Sequence, residues 1–304
     1  RFFSAACYPV FSPKTLNKTR KPGGIQTMPS LPEGLIVVAK RDCPTCQLIE
    51  PLLADIDRQA GPLTVYSQDD PAFGEGVSGA HHDATLEHSF HLKTEFVPTL
   101  IRVENGQEVE RTYGWHREDW QRLTGIADLG EDLPVMRPGC GSKTLEPGIA
   151  EKLEVQFGDT GLHAREIDTD ADDLIEACYE RGWSDGLPVV PPTPERVLRM
   201  LKGTDRDPAE EVGLVPPDLA PCTVEKVAIN AVMAGCKPEY MPVVLASLEA
   251  ALTDEFGLHG LLCTTMFAGP MIIANGPVTK AIGMNSGNNA LGQGNRANAT
   301  IGRA

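Results

Sequence analysis

Cys43 and Cys46, in the stretch KRDCPTCQLIEPLL (residues 40–53), are two thiols set one helical turn apart. They follow an apolar run and precede a helical pattern, so Cys43 falls at the front of a helix. Free backbone N–H groups and a partial positive charge collect there. Both favour the thiolate, the nucleophilic form of cysteine. The chemistry that fits is thiol–disulfide exchange, in which Cys43 attacks and Cys46 resolves the mixed disulfide. Lys40 and Arg41 favour that thiolate and Asp42 opposes it. Two other readings compete. A Cys-x-x-Cys is also half of a zinc site, which His81 and His82 could complete, and it can be a pair of inert buried thiols. The chain has no second Cys-x-x-Cys and no His-x-x-x-His, and no metal or other cofactor is assigned.

Three further places could do chemistry. Cys140, in PGCGSK beside Lys143, reads as a thiol on a flexible stretch. It is a candidate redox relay, as an internal client of the pair or a shuttle between domains, against an idle linker cysteine. Trp183 and Asp185, in WSDG, join an aromatic ring and a carboxylate at a turn that also reads as an ordinary helix end. Gly292 and Gly294, ahead of Arg296, offer backbone N–H groups and a cation to an anion. That stretch lacks the Gly-Lys-Ser/Thr ending of a phosphate loop and is not a dinucleotide fingerprint. Cys178, Cys222, Cys236 and Cys263 sit on or beside apolar faces and read as buried structural thiols.

The elements that must position these residues follow from periodicity. Leu35–Ala39 and Leu63–Ser67 read as strands. Leu48, Ile49, Leu52, Leu53 and Ile56 stripe one face of the helix after the cysteines, which Pro51 should kink. Residues 68–82 read as loop and Asp83–Leu92 as a short helix. Thr99–Val103 and Val109–Tyr113 form a hairpin about Asn105-Gly106, and His116–Leu123 begins a last helix. Residues 125–165 read as linker. Beyond it, helices are expected around Leu174–Tyr179, from Pro194 with Thr193 as N-cap, around Val224–Val232 with a stop at Gly235, and from Pro238 onward. MIIANGP reads as strand and turn. The chain stops within an apparent helix, so a truncated second domain is expected.

Bulk properties narrow the function. A chain of 304 residues holds two ordinary domains. A net charge of −15 argues against nucleic-acid backbone as a partner, and no apolar run is long enough to span a membrane. Eight scattered cysteines, with no recognisable signal peptide, point to a reducing compartment and a cytoplasmic location. Residues 1–32 carry five Lys or Arg and no acid. They read as a leader outside the fold, either upstream sequence before a start at Met28 or, with residues 1–27 as a transit peptide, an organelle address.

Residues 33–125 resemble a thioredoxin-fold domain, a central mixed β-sheet flanked by helices. The likeness is carried by Cys43-Pro44-Thr45-Cys46 after a buried strand, by Pro51 five residues beyond Cys46, and by FVPTLIRVENGQEVERTYGW. It implies a cis Pro98 facing the cysteine pair, with Pro44, Thr45, Val97 and Pro98 lining a substrate groove. Its partners would be a protein or small-molecule disulfide and a thioredoxin-reductase-like or thiol electron donor. Asp42 and Pro44-Thr45 stand where most thioredoxins have Trp and Gly-Pro, so reductant, oxidant and isomerase are not separated, and no clear match appears for the family's buried acid. Residues 126–167 would be the linker, and 168–304 a second α/β or α+β domain. That domain resembles an uncharacterised bacterial family whose relatives occur beside redox or selenocysteine domains of the UGSC type. The resemblance rests on ERGWSDGLPVVPPTPERV, VEKVAINAVMAGCKPEYMPVVLASLEA and NSGNNALGQGNRANATIGRA. The second domain would then receive electrons from the first. The alternative makes it a small-molecule- or anion-binding enzyme domain, with the thioredoxin-like part as a docking module.

Overall fold

A computed structural model describes residues 10–13 and 30–304. The described residues divide into two compact units, one of residues 30–159 and one of residues 10–13 with 160–304. The first is a mixed α/β unit. Its strands are β1 (Gly34–Ala39), β2 (Leu63–Ser67), β3 (Gly79–His82), β4 (Phe96–Val97), β5 (Thr99–Glu104) and β6 (Gln107–Tyr113). A five-stranded sheet runs in the order β3-β2-β1-β5-β6. β1 pairs parallel with β2 and antiparallel with β5, so Ile36 lies between Thr64 and Ile101. Ile36, Val37, Val38 and Ala39 are all fully buried, which is why this central strand is a continuous apolar run and not an alternating one. The β5–β6 hairpin turns at Asn105 and Gly106, both with positive φ, and Glu33 accepts both of their N–H groups.

Helix α1 (Pro44–Gln59) crosses from β1 to β2 and continues through Pro51. It buries Cys46, Ile49, Leu53 and Ile56, one face at helical spacing. α2 (Glu87–His91) is shorter than the expected helix from Asp83. The buried Asp83 carboxylate instead accepts the N–H groups of His88 and Ser89 and the Ser89 hydroxyl. α3 (Arg117–Thr124) buries Trp120 and Leu123 and ends at Gly125 with φ 74°.

Two further expectations fail in this unit. The last four residues of the expected 68–82 loop form β3, paired parallel with β2. Gly-Ala-His-His has neither β-branched residues nor alternation, so backbone pairing alone makes it a strand. The expected linker is largely folded into the same unit. Ile126 and Leu129 are in its core, β8 (Met136–Arg137) pairs with β7 (Trp115–His116), β9 (Cys140–Gly141) pairs with β4, and α4 (Ile149–Phe157) follows. The prolines and glycines that read as a linker let the chain trace two strand edges closely.

The second unit is built from α5 (Leu174–Glu180), α6 (Pro194–Leu201), the hairpin Glu211–Val215 with Ala220–Thr223, α7 (Val224–Ala234) and α8 (Met241–Ala251). The helices lie as the apolar stripes require, and Gly235 ends α7 at φ 88°. Residues Val10–Pro13 pair parallel with Glu166–Thr169, and Phe11 is fully buried. That part of the expected leader therefore belongs to the fold, because a buried aromatic ring outweighs the basic residues around it. The readings of Met28 as a start and of a transit peptide fall otherwise on residues outside those described. MIIANGP is not a strand: no described segment pairs with it, and Met271 and Ile273 are exposed. Among the described residues, no helix is long and apolar enough to cross a membrane.

Candidate active site

Cys43 is the N-cap residue of α1, with Pro44 in the first turn and no side chain capping the helix. Proline suits that position because its missing N–H would have no helical partner there. The free N–H groups of Thr45 and Cys46 point at the Cys43 sulfur instead. Cys46 shares the buried face of α1 with Ile49 and Leu53, so the stripe that docks the helix also turns the second thiol inward. All seven described cysteines are free thiols, and Cys7 lies outside the described residues.

The strand edge beside the pair is β4. The Val97–Pro98 peptide bond is cis, and the Pro98 carbonyl accepts the Gly114 N–H at 2.7 Å. The Cys43 sulfur lies 3.5 Å from the Val97 carbonyl oxygen, to which it donates when protonated. Cys43, Cys46 and Val97 are each fully buried. Beside Cys43 runs the segment that carries Cys140. Cys140 stands opposite Val97, and Gly141 opposite Phe96, in an antiparallel pair.

That segment is pinned, which corrects its reading as a flexible stretch. The Thr45 hydroxyl donates to the Pro138 carbonyl at 2.7 Å. The Ser142 N–H donates to the Glu95 carbonyl at 2.9 Å. Gln68, buried at the end of β2, donates through its amide nitrogen to the Ser142 hydroxyl at 2.8 Å and accepts the Lys143 N–H at 3.0 Å. Thr144 donates to the Thr94 carbonyl at 2.7 Å. Gly139 and Gly114 meet backbone to backbone: a Cβ on Gly139 would lie 2.7 Å from the Val97 oxygen, and one on Gly114 2.7 Å from the Gly139 nitrogen. Gln68, Ser142, Thr144, Gly114 and Gly139 escape a sequence reading. Only the glycine flanks of Cys140 carried any signal, and it pointed toward mobility.

The three sulfurs titrate very differently. The Cys43 thiol is held down at about 5, first by the hydrogen bond its thiolate accepts from the Cys46 thiol. Burial opposes this, and a hydrogen bond from Cys140 and the N–H groups of Cys46 and Thr45 reinforce it. Burial, and then donation to Cys43, push Cys46 up. Donation to Cys43, and then burial, do the same to Cys140. The arrangement is one thiolate between two thiols. Arg41 contributes less to it than the sequence implied, because its side chain is engaged by Asp70 at 2.9 Å and by Glu50. Among the described residues, no group of three or more His, Cys, Asp or Glu side chains is placed to hold a metal ion. His81 and His82 are exposed on β3.

The remaining candidates lie in the second unit, in structural roles. Asp185 forms a two-pronged ion pair with Arg303 at 2.6 and 2.7 Å and accepts the Leu187 N–H. Trp183 packs on Phe11 with ring centroids 5.0 Å apart. Arg296, expected to cradle an anion, instead donates to the carbonyls of Gly235 and Cys236 at the end of α7. Gly292 and Gly294 belong to a loop tied by its own asparagines, with Asn298 bonded to Asn285 and Ala290 and Asn289 to Gln293. Cys178 and Cys236 are buried as expected, whereas Cys222 is half-buried and Cys263 exposed. Cys263 ends a short helix, Leu258–Cys263, that buries none of its residues. Comparison with protein-family models and with curated proteins finds no match to this chain.

Proposed function

We propose that residues 33–159 are a thioredoxin-like thiol–disulfide oxidoreductase module, with Cys43 as nucleophile and Cys46 as resolving thiol. The observation that carries the reading is the Cys43 sulfur at the open N-terminus of α1, its thiolate favoured, with the Cys46 thiol one turn on and donating to it. The mixed sheet, the helix between its first two strands and the cis Pro98 beside the pair support the same reading. The partners it calls for are a protein or small-molecule disulfide and a thiol electron donor. Reduction of insulin by the full chain with dithiothreitol as donor tests it. Wild type accelerates precipitation and Cys43→Ser does not; equal rates would remove the proposal.

A second reading gives the other unit a ligand of its own. It is favoured by a groove of about 1040 Å³ lined by Val227, Val244, Leu248 and Ile273, with Lys226 and Asn230 at its wall. A mostly apolar groove with a few polar groups is how small-molecule sites are built. Ligand-dependent melting that is the same in reduced and oxidised protein supports it, and the absence of any such shift across a metabolite panel counts against it.

A further inference from the structure

Cys43 is fully buried, so a disulfide from outside has no direct path to its sulfur. Cys140 is half-buried and lies between the exposed residues Pro138 and Gly141. Its strand adds to the edge at Phe96–Val97 in the antiparallel register that an extended client chain would take. Five groups hold it there: Thr45 on Pro138, Gln68 on Ser142 and Lys143, Glu95 on Ser142, Thr94 on Thr144, and the close approach of Gly139 to Val97.

We propose that Cys140 is the outer thiol of a three-sulfur relay, meeting external disulfides and passing the oxidation to Cys43 and then to Cys46. The proposal rests on the exchange reading above and deepens it. In the first step Cys140 attacks a disulfide RSSR. A Cys140–SR bond forms, the S–S bond of RSSR breaks, and the Cys140 proton goes to the departing RS⁻, giving RSH. In the second step the Cys43 thiolate attacks the Cys140 sulfur, forming Cys43–Cys140 and releasing the second RS⁻. In the third step Cys46 attacks the Cys43 sulfur, forming Cys43–Cys46, and its proton goes to the released Cys140. One RSSR is reduced by two electrons, the Cys43–Cys46 pair is oxidised by two, and Cys140 is regenerated. The depressed Cys43 thiol suits attack on the Cys140 sulfur in the second step, and the elevated Cys46 thiol suits donation of its proton to Cys140 in the third.

The test uses the full-length reduced chain, glutathione disulfide as the probe, and acid-quenched peptide mapping by mass spectrometry. In Cys46→Ser the relay halts at step two and a Cys43–Cys140 disulfide accumulates. In Cys43→Ser it halts at step one and glutathione is carried on Cys140. In Cys140→Ser, formation of the Cys43–Cys46 disulfide slows by about tenfold or more, because a tethered step becomes a bimolecular one at a covered sulfur. Glutathione on Cys43 of Cys46→Ser with Cys140 free, or Cys140→Ser oxidising at the wild-type rate, overturns the relay and leaves the exchange reading standing. Wild type that forms Cys43–Cys140 but never Cys43–Cys46 overturns the exchange reading, and with it the last step of the relay.

Discussion

Cys140 lies directly across the β4 edge from Val97, the residue whose carbonyl oxygen is 3.5 Å from the Cys43 sulfur. Two residues distant in sequence are thus brought to one thiolate by a two-residue strand pair. The expected behaviour of the site follows from that register and from the groups that hold it.

The Cys43 thiolate is detectable directly. Its absorbance near 240 nm, followed against pH and corrected with Cys43→Ser, titrates with a midpoint of about 5. Cys46→Ala removes the strongest hydrogen bond to the thiolate. A hydrogen bond to a charged group is worth about 1.5–3 kcal/mol, so the midpoint rises by about 1–2 units. A midpoint near the ordinary thiol value in wild type contradicts the geometry.

The same depressed value sets a pH dependence of stability. Between its folded midpoint of about 5 and an unfolded thiol near 8.5, the unfolded chain binds one more proton at Cys43 than the folded chain. Stability from this group therefore rises with pH across that window. It is fully present above about 8.5 and lost as pH falls through the folded midpoint. Urea midpoints of wild type minus Cys43→Ser at pH 5, 6.5 and 8 are expected to grow in that order. A flat difference contradicts the assignment.

Gly139→Ala places a Cβ against the Val97 oxygen at 2.7 Å, where the opposing atom is backbone and cannot swing away. The Cys140 segment must lift, at a cost of about 1–3 kcal/mol, and Cys43 is uncovered. Alkylation of Cys43 by iodoacetamide at pH 7 is expected to accelerate well beyond wild type. Unchanged alkylation would show that the cover does not depend on this close approach.

Gln68→Ala leaves the Ser142 hydroxyl and the Lys143 N–H without their buried partner. The expected cost is about 1–3 kcal/mol. Because Gln68 acts by positioning, its readout is local: faster hydrogen exchange at Lys143 and faster alkylation of Cys140, with the Cys43 absorbance midpoint moving up as the Cys140 hydrogen bond is lost. Gln68→Glu keeps the acceptor for the Lys143 N–H and is expected to restore part of the protection.

The half of the site made by local pattern was legible in the sequence. The apolar run of β1, the turn at Cys43-Pro44 and the Ile49–Leu53–Ile56 stripe are short-range signals, and they place Cys43 at the front of α1 and Cys46 on its buried face. The other half depends on pairing between distant segments, which leaves little trace in composition. β3 and β9 are strands only because an edge was available to them, and PGCGSK reads as loose because glycine serves close backbone approach as well as flexibility. The Gly292–Arg296 stretch misled for the complementary reason: its arginine is consumed by the carbonyls that end α7. Phe11 was hidden by the basic residues around it, although its burial beside Trp183 ties Val10–Pro13 into the second core.

The most direct test is equilibration of the wild-type chain across a series of glutathione redox buffers, with acid quenching and mass mapping of every cysteine. The proposed function predicts one two-electron transition in which Cys43 and Cys46 join as a disulfide while Cys178 and Cys236 stay reduced. Cys43 and Cys46 remaining as free thiols through the oxidising end of the series would contradict it.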